Sequence, residues 1–458
     1  MMPDPDFWSG RRVLLTGHTG FKGAWLALWL ERLGARVHGL ALPPETRPSL
    51  HALCATRPAL GETIGDIRDP AICAAAMAAA EPEIVLHLAA QALVRRSYRD
   101  PSGTWATNVM GTVNLLEAAR GRPGLRVILV ATTDKVYRND GAGRPFREDD
   151  PLGGHDPYSA SKAAAEIAVE SHRASFLAAG GIAVATARAG NVIGGGDWSE
   201  DRLVPDMLRA LAAGEAVALR YPGAVRPWQH VLEPLAGYLR HAQTLCAGPG
   251  TAPAALNFGP DPSAFLTVGE VVARFSARFG GRPGATVPPG AHPAEAPYLT
   301  LDSSRAAATL GWRGRLDADA AIAWTAAWHA APTRAASSST TSNAMGACAH
   351  DVARLPVLCR AADAQLRRSR AYAARQQLRP APRGGDAGSD LSAARAGLRC
   401  LQAGPGRGGD AAGDHLRRVR LFLVLFVVLG RACPPLRRGG DGALRPVRRQ
   451  SGGRGRQQ

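Results

Sequence analysis

The fold turns on the stretch Arg12-Val13-Leu14-Leu15-Thr16-Gly17-His18-Thr19-Gly20-Phe21-Lys22-Gly23. Arg12 to Leu15 is a short apolar run that reads as a buried strand, and the glycine turn Gly17 to Gly23 follows it directly. Next comes a helical pattern from Ala24 to Leu33, with Trp25, Leu28 and Trp29 apolar at helical spacing and Gly34 as its stop. Strand, glycine turn and helix N-terminus in that order form a place for a pyrophosphate. The glycines admit the backbone close to the ligand, and free helix N–H groups meet its charge. Gly17, Thr19, Gly20, Phe21, Lys22 and Gly23 are therefore the expected dinucleotide contacts.

The same alternation repeats down the chain. Arg36 to Leu42 reads as a second strand, but it ends without the carboxylate that would accept from an NAD ribose, so the residues leave NAD and NADP both open. Gly65-Asp66-Ile67-Arg68-Asp69 ends a third strand; Asp66 can accept from an adenine amino group, and Asp69 before Pro70 is a helix cap. Ile84 to Leu88 is a fourth strand, followed by Ala89, Ala90 and Gln91, whose small members let a flat ligand lie against the sheet. Helix Thr104 to Ala119, strand Val127 to Ala131, a helix from Pro157 to Leu177 and strand Ile182 to Arg188 complete the pattern. The fold class is α/β, a doubly wound parallel sheet of the Rossmann type. Residues 1–190 are assigned to dinucleotide binding and catalysis, 191–331 mainly to a smaller substrate domain, and 332–458 to a low-complexity tail.

Two clusters carry chemistry. Thr132-Thr133-Asp134-Lys135 follows a strand and so sits where the sheet opens into a crevice. Tyr158 and Lys162 stand four residues apart on one helical face, where an ammonium holds a phenol's pKa down and makes it a base for an alcohol proton. Only three lysines occur, Lys22, Lys135 and Lys162, against 52 arginines, and all three fall in these motifs. Where arginine serves almost everywhere, the lysines mark positions that call for a compact or titratable ammonium.

Charge and composition exclude other classes. The formal charge of +17 suggests a polyanion partner, but 23 arginines and 7 aspartates after Ala331 account for +16 of it, and the first 331 residues balance 32 bases against 31 acids. The expectation is thus no nucleic acid and, with a longest apolar run of nine residues (Leu421 to Leu429), no membrane span. Seven scattered cysteines show no CxxC pair and no metal-ligand spacing; they read as reduced cytoplasmic thiols, with no metal site. The tail lacks Lys and Glu altogether and is rich in Arg, Ala and Gly. It reads as disordered, either the product of a reading-frame change in a GC-rich gene or a basic arm.

Gly17-x-x-Gly20-x-x-Gly23, His87-Leu88-Ala89-Ala90-Gln91, Asn108-Val109-Met110-Gly111-Thr112 and Tyr158-x-x-x-Lys162 together resemble the extended short-chain dehydrogenase/reductase family over residues 10 to 330. The resemblance implies bound NAD, a nucleotide-sugar substrate and a homodimer formed through the helices Thr104 to Ala119 and Pro157 to Leu177. Within the family, Thr133-Asp134-Lys135 resembles the pattern of 4,6-dehydratases, enzymes of deoxysugar and polysaccharide (O-antigen) synthesis, with Lys135 where a glutamate is usual. With Arg188 to Trp198 and Arg226 to Val231 it implies CDP-glucose as substrate. The roles so implied are Tyr158, with Lys162 and Thr133, for oxidation at C4, Asp134 as acid for the departing 6-OH, and Lys135 as C5 base or enolate partner. Asn191, Arg202, Arg226 and Tyr298 are implied as substrate contacts. A 4-epimerase, a dehydratase for another nucleotide and a catalytically idle dinucleotide sensor are the alternatives.

Overall fold

A computed structural model describes residues 2–54, 61–289 and 296–330. The tail, with both readings of it, lies outside the described residues.

Seven strands form one sheet: β1 (Arg12–Thr16), β2 (Arg36–Ala41), β3 (Glu62–Ile64), β4 (Ile84–His87), β5 (Val127–Ala131), β6 (Ala183–Ala189) and β7 (Ala255–Phe258). All neighbours are parallel, in the order β7-β6-β5-β4-β1-β2-β3. A parallel sheet covered on both faces needs strands that are apolar throughout rather than alternating. Val13, Leu14 and Leu15, like Ile84, Val85 and Leu86, are accordingly fully buried. The order reverses between β1 and β4, so the crevice outside the carboxyl ends of those strands is where this topology places a ligand.

Helices α1 (Phe21–Arg32), α2 (Pro70–Ala80), α3 (Gly111–Ala119) and α4 (Pro157–His172) flank the sheet with α6 (Leu232–Leu245). The core between α1, α6 and one sheet face includes Trp25, Leu26, Tyr238 and Trp312. The core on the other face joins Met77, Leu115, Leu116 and Val169 to Leu14 and Ile128. A third cluster, with Met207, Trp228, Phe275 and Ile322, lies among α5 (Leu203–Ala213), α7 (Val268–Ala277) and α9 (Ala318–Ala330), whereas Ala306 and Leu310 of α8 (Ser304–Leu310) belong to the first. The later half of the chain also returns to the sheet, because α6 packs on it and β7 pairs with β6.

Several boundaries differ from the sequence reading. α1 begins at Phe21 rather than Ala24: Gly20 takes extended angles (φ −80°, ψ 169°) and caps the helix, so the glycine turn supplies its first turn. The helix expected from Thr104 begins at Pro101 behind an Asp100 cap and passes through a π turn at Ala106–Met110 before α3. α4 starts as expected, Asp156 accepting from the Ser159 N–H at 2.9 Å with Pro157 at the first position. It runs out through a π turn at Arg173–Leu177.

Candidate active site

The carboxyl ends of the strands open into a cavity of about 1550 Å³. That is enough for two extended ligands, since a single drug-sized site holds about 300–1,000 Å³. One wall is the glycine turn. Gly17 is in the left-handed region (φ +76°), and a Cβ there would lie 2.8 Å from the Ala89 N, so the β1 and β4 turns are pressed together. A Cβ on Gly23 would fall 2.0 Å from the Gly17 carbonyl oxygen, whereas one on Gly20 would meet only that oxygen, at 3.4 Å. No side chain caps α1, so its first N–H groups are available to an anion. Thr19 donates to the Leu42 carbonyl (2.8 Å) and ties the turn to the end of β2.

Phe21, Lys22, Asp66, Ile67, Ala89, Ala90 and Gln91 line the same cavity. Asp66 is already engaged: Arg68 donates to it from its backbone N and its guanidinium, which holds the carboxyl below the usual range. Gln91 donates to Thr104 (2.9 Å), and its backbone N–H donates to Asn108 (2.8 Å), which in turn donates to Ser161 on α4 (2.9 Å). The uncapped helix, the glycine cradle and the flat alanine floor fit a dinucleotide. Outside the cavity lining, the buried His18 is hydrogen-bonded to Glu62 at 2.8 Å, with a His51 ring nitrogen close by.

The second wall brings the chemical residues together. The Thr133 hydroxyl donates to Asp134 Oδ1 (3.0 Å) and is hydrogen-bonded to Tyr158. The Lys135 ammonium donates to Asp134 Oδ1 (3.0 Å) and to Asn191 Oδ1 (3.4 Å). Thr133, Lys135, Tyr158, Lys162, Asn191, Arg202 and Arg226 all line the cavity. Asp134 does not: it is fully buried behind Thr133 and Lys135, and its Oδ2 has no hydrogen-bond partner, with Gly190 alongside.

Two expectations need correction. Tyr158 is not held down by Lys162. Burial pushes the phenol up to about 12 against the pull of the Thr133 hydrogen bond and the Arg202 charge. Lys162 instead donates to the Ala131 carbonyl (3.1 Å), and burial lowers its own pKa to about 8. Tyr298 is not part of the cavity wall. Its neighbours Pro297 and Leu299 are. Its backbone is pinned by a bridge to Val225 and by Asn139 donating to its carbonyl (2.9 Å), and successive residues of an extended segment face opposite sides. Arg226 reaches the cavity but also donates to the Val225 and Ala296 carbonyls.

Tyr238, Glu166 and the pairing of Arg188 with Glu166 were not singled out from the sequence. Lys22 donates to the Tyr238 hydroxyl (2.9 Å) and lies over that ring; burial, with Arg202 and Lys162 nearby, lowers it to about 7. Glu166 and Arg188 form a buried pair beneath Thr132. Their signal was in the sequence: Glu166 falls one turn after Lys162 on a face already assigned inward, and Arg188 ends a buried strand.

Residues 13–252 match the family described as NAD dependent epimerase/dehydratase. The chain is 44% identical over 335 residues to the CDP-glucose 4,6-dehydratase of Salmonella typhimurium, covering 72% of this chain and 93% of that protein. It is 31% identical to a dTDP-glucose 4,6-dehydratase of Streptomyces antibioticus over 59% of this chain and 77% of that protein. Among solved structures it resembles the UDP-glucose 4-epimerase of Thermus thermophilus in complex with NAD, with a TM-score of 0.60 and 27% identity over 69% of this chain and 98% of that one. With its glycine cradle, parallel sheet and Tyr158–Lys162 helix, the chain belongs to the NAD dependent epimerase/dehydratase family.

Proposed function

We propose that the protein is a CDP-glucose 4,6-dehydratase that converts CDP-glucose to CDP-4-keto-6-deoxyglucose and water with NAD as resident cofactor. The observation that carries this reading is the Asp134–Lys135–Asn191 group beside the Thr133–Tyr158 pair. An alcohol oxidation needs only the second; an acid and a base next to it suit elimination. The relative that covers most of this chain is named for the same reaction.

Gly17, Gly20 and the first turn of α1 would hold the pyrophosphate, Asp66 and Ile67 the adenosine end, and Ala89 to Gln91 with Lys162 the other. NAD held there would supply a hydride acceptor and donor for the sugar and the positive charge of its nicotinamide. Tyr158 takes the 4-OH proton while Thr133 orients that oxygen. That phenol is raised to about 12 by burial, so the added charge and the Thr133 bond are what make it a base. Lys135, facing the cavity, moves the C5 proton or steadies the enolate. Asp134 is the acid assigned to the departing 6-OH; it stands behind Thr133 and Lys135, which separate it from the cavity, and its Oδ2 is the oxygen left without a partner. Asn191, Arg202 and Arg226 would hold the nucleotide and its pyrophosphate.

Residues 1–190 serve mainly the cofactor and the chemistry, and 191–331 mainly the substrate. Exposed Trp105, Met110, Ile167 and Phe176 on the helices around α4 support a homodimer through that face. Free thiols at Cys54, Cys73 and Cys246 suit a cytoplasmic enzyme of deoxysugar and polysaccharide synthesis. Among the described residues no helix is long and apolar enough to cross a membrane.

The test is incubation of the full chain and NAD with CDP-, dTDP- and UDP-glucose, following the alkali-induced absorbance of the 4-keto product. Product from CDP-glucose first and fastest supports the reading; a 4-epimer, or faster turnover of another nucleotide, overturns it.

A further inference from the structure

Beneath the site lies a buried charge cluster with no part in the scheme above. Glu166 stands one turn past Lys162 and two past Tyr158 on α4. Its carboxylate accepts four hydrogen bonds: from the Thr132 hydroxyl (2.5 Å), the Thr186 hydroxyl (2.7 Å), and Nε and Nη2 of Arg188 (2.9 Å each). Only 4% of the Glu166 side chain and 5% of the Arg188 side chain are exposed. Arg188 goes on to donate to the Tyr137 hydroxyl (2.9 Å) and the Glu148 carbonyl (3.0 Å), and Tyr137 donates to Asn257 of β7 (2.7 Å).

A buried ion pair is a poor device for stability, because apolar residues of the same volume often do as well or better. Its placement is what singles it out. Thr132 immediately precedes Thr133, and Arg188 comes three residues before Asn191. One carboxylate therefore joins the helix of Tyr158 and Lys162, the β5 end that bears Thr133, Asp134 and Lys135, and the β6 strand that leads to Asn191.

We propose that Glu166, clamped by Arg188, is a positioning residue of the dehydratase reaction: it locks the end of β5 to α4 so that Thr133 meets Tyr158, and it sets a negative charge one turn behind the Lys162 ammonium. This rests on the function proposed above. The groups that act on Lys162 are Glu166 from its own helix, Lys22 from α1 and His87 from β4. His87 is kept neutral by burial, and Lys22 repels, so Glu166 is the acid that favours the charged lysine.

The three lysines make this measurable apart from activity. In full-length protein labelled with [13Cε]lysine, three signals appear, assigned by single Lys→Met variants and titrated by NMR. Glu166→Gln should lower the Lys162 midpoint by about one pH unit or more. It should also lower kcat about 10- to 100-fold, with KM for CDP-glucose within about threefold. Thr132→Val keeps the ion pair and loses only the tether, so kcat should fall while the Lys162 midpoint stays. If Glu166→Gln does not fold, Glu166→Gln/Arg188→Met removes both charges and is expected to show the same lowered midpoint. An unmoved Lys162 midpoint in a folded Glu166 variant, or wild-type kcat in Thr132→Val, overturns the proposal. A wild-type chain that makes no 4-keto product overturns the proposed function instead, and the NMR midpoint still reads the charge placed behind Lys162.

Discussion

Replacing Asp134 by Asn separates two roles the site permits for that residue. The amide is nearly isosteric, and its oxygen can still accept from Thr133 and Lys135, which both donate to Oδ1 at 3.0 Å. The proton that a carboxylic acid can give up is lost. Asp134 is fully buried, so no bulk water stands ready to replace it. A positioned general acid contributes about 10²–10⁴ in rate, which is about 3–5 kcal/mol of barrier. That is the loss of kcat expected with CDP-glucose, at nearly unchanged KM. The assay compares CDP-glucose with its 6-deoxy-6-fluoro analogue. Fluoride leaves as a stable anion without a proton, so the penalty on the analogue should shrink to within about tenfold, the part not owed to acid catalysis. An equal loss on both substrates would refute the acid role and leave Asp134 as the anchor of Lys135.

The Lys135→Met variant should lose exchange of the C5 hydrogen with deuterium oxide by about 100-fold or more; undiminished exchange would sink the base assignment. Gly23→Ala puts a Cβ 2.0 Å from the Gly17 carbonyl oxygen and should cost about 1–3 kcal/mol in urea denaturation, with weakened NAD retention in dialysis. Lys22 is lowered from 10.5 to about 7 by burial. Between those values the unfolded chain binds the proton that the folded one has released, so stability rises with pH above about 7. Lys22→Met should remove about 2 kcal/mol of that rise between pH 7 and 9, read from urea midpoints at each pH. Identical pH slopes for the two proteins would contradict it.

The sheet was legible because parallel strands are apolar throughout: Val13-Leu14-Leu15 and Val127 to Ala131 announce themselves without alternation. β7 was not, since Ala255 to Phe258 is too short to stand out and its place is decided by pairing with β6. Caps carried information at Asp156-Pro157, whereas the π turns at Ala106–Met110 and Arg173–Leu177 keep helical composition and leave no mark in it. At the site, spacing brought Tyr158 and Lys162 to one face, but not their electrostatics: how much burial costs a phenol, and that Lys162 turns to the Ala131 carbonyl, are set by packing. Tyr298 failed for a local reason, the facing of alternate residues in an extended segment. Glu166 and Arg188 were visible as charges on buried elements, and only the fold shows them to be partners.

In the proposed reaction one site oxidises C4, eliminates water and reduces C6 without releasing the hydride. CDP-glucose deuterated at C4 tests it most directly, with the product's C6 examined by NMR after turnover by the full chain with NAD. The expected product is CDP-4-keto-6-deoxyglucose that carries the deuterium at C6. Deuterium washed into solvent, or retained at C4 of an epimerised sugar, would contradict it.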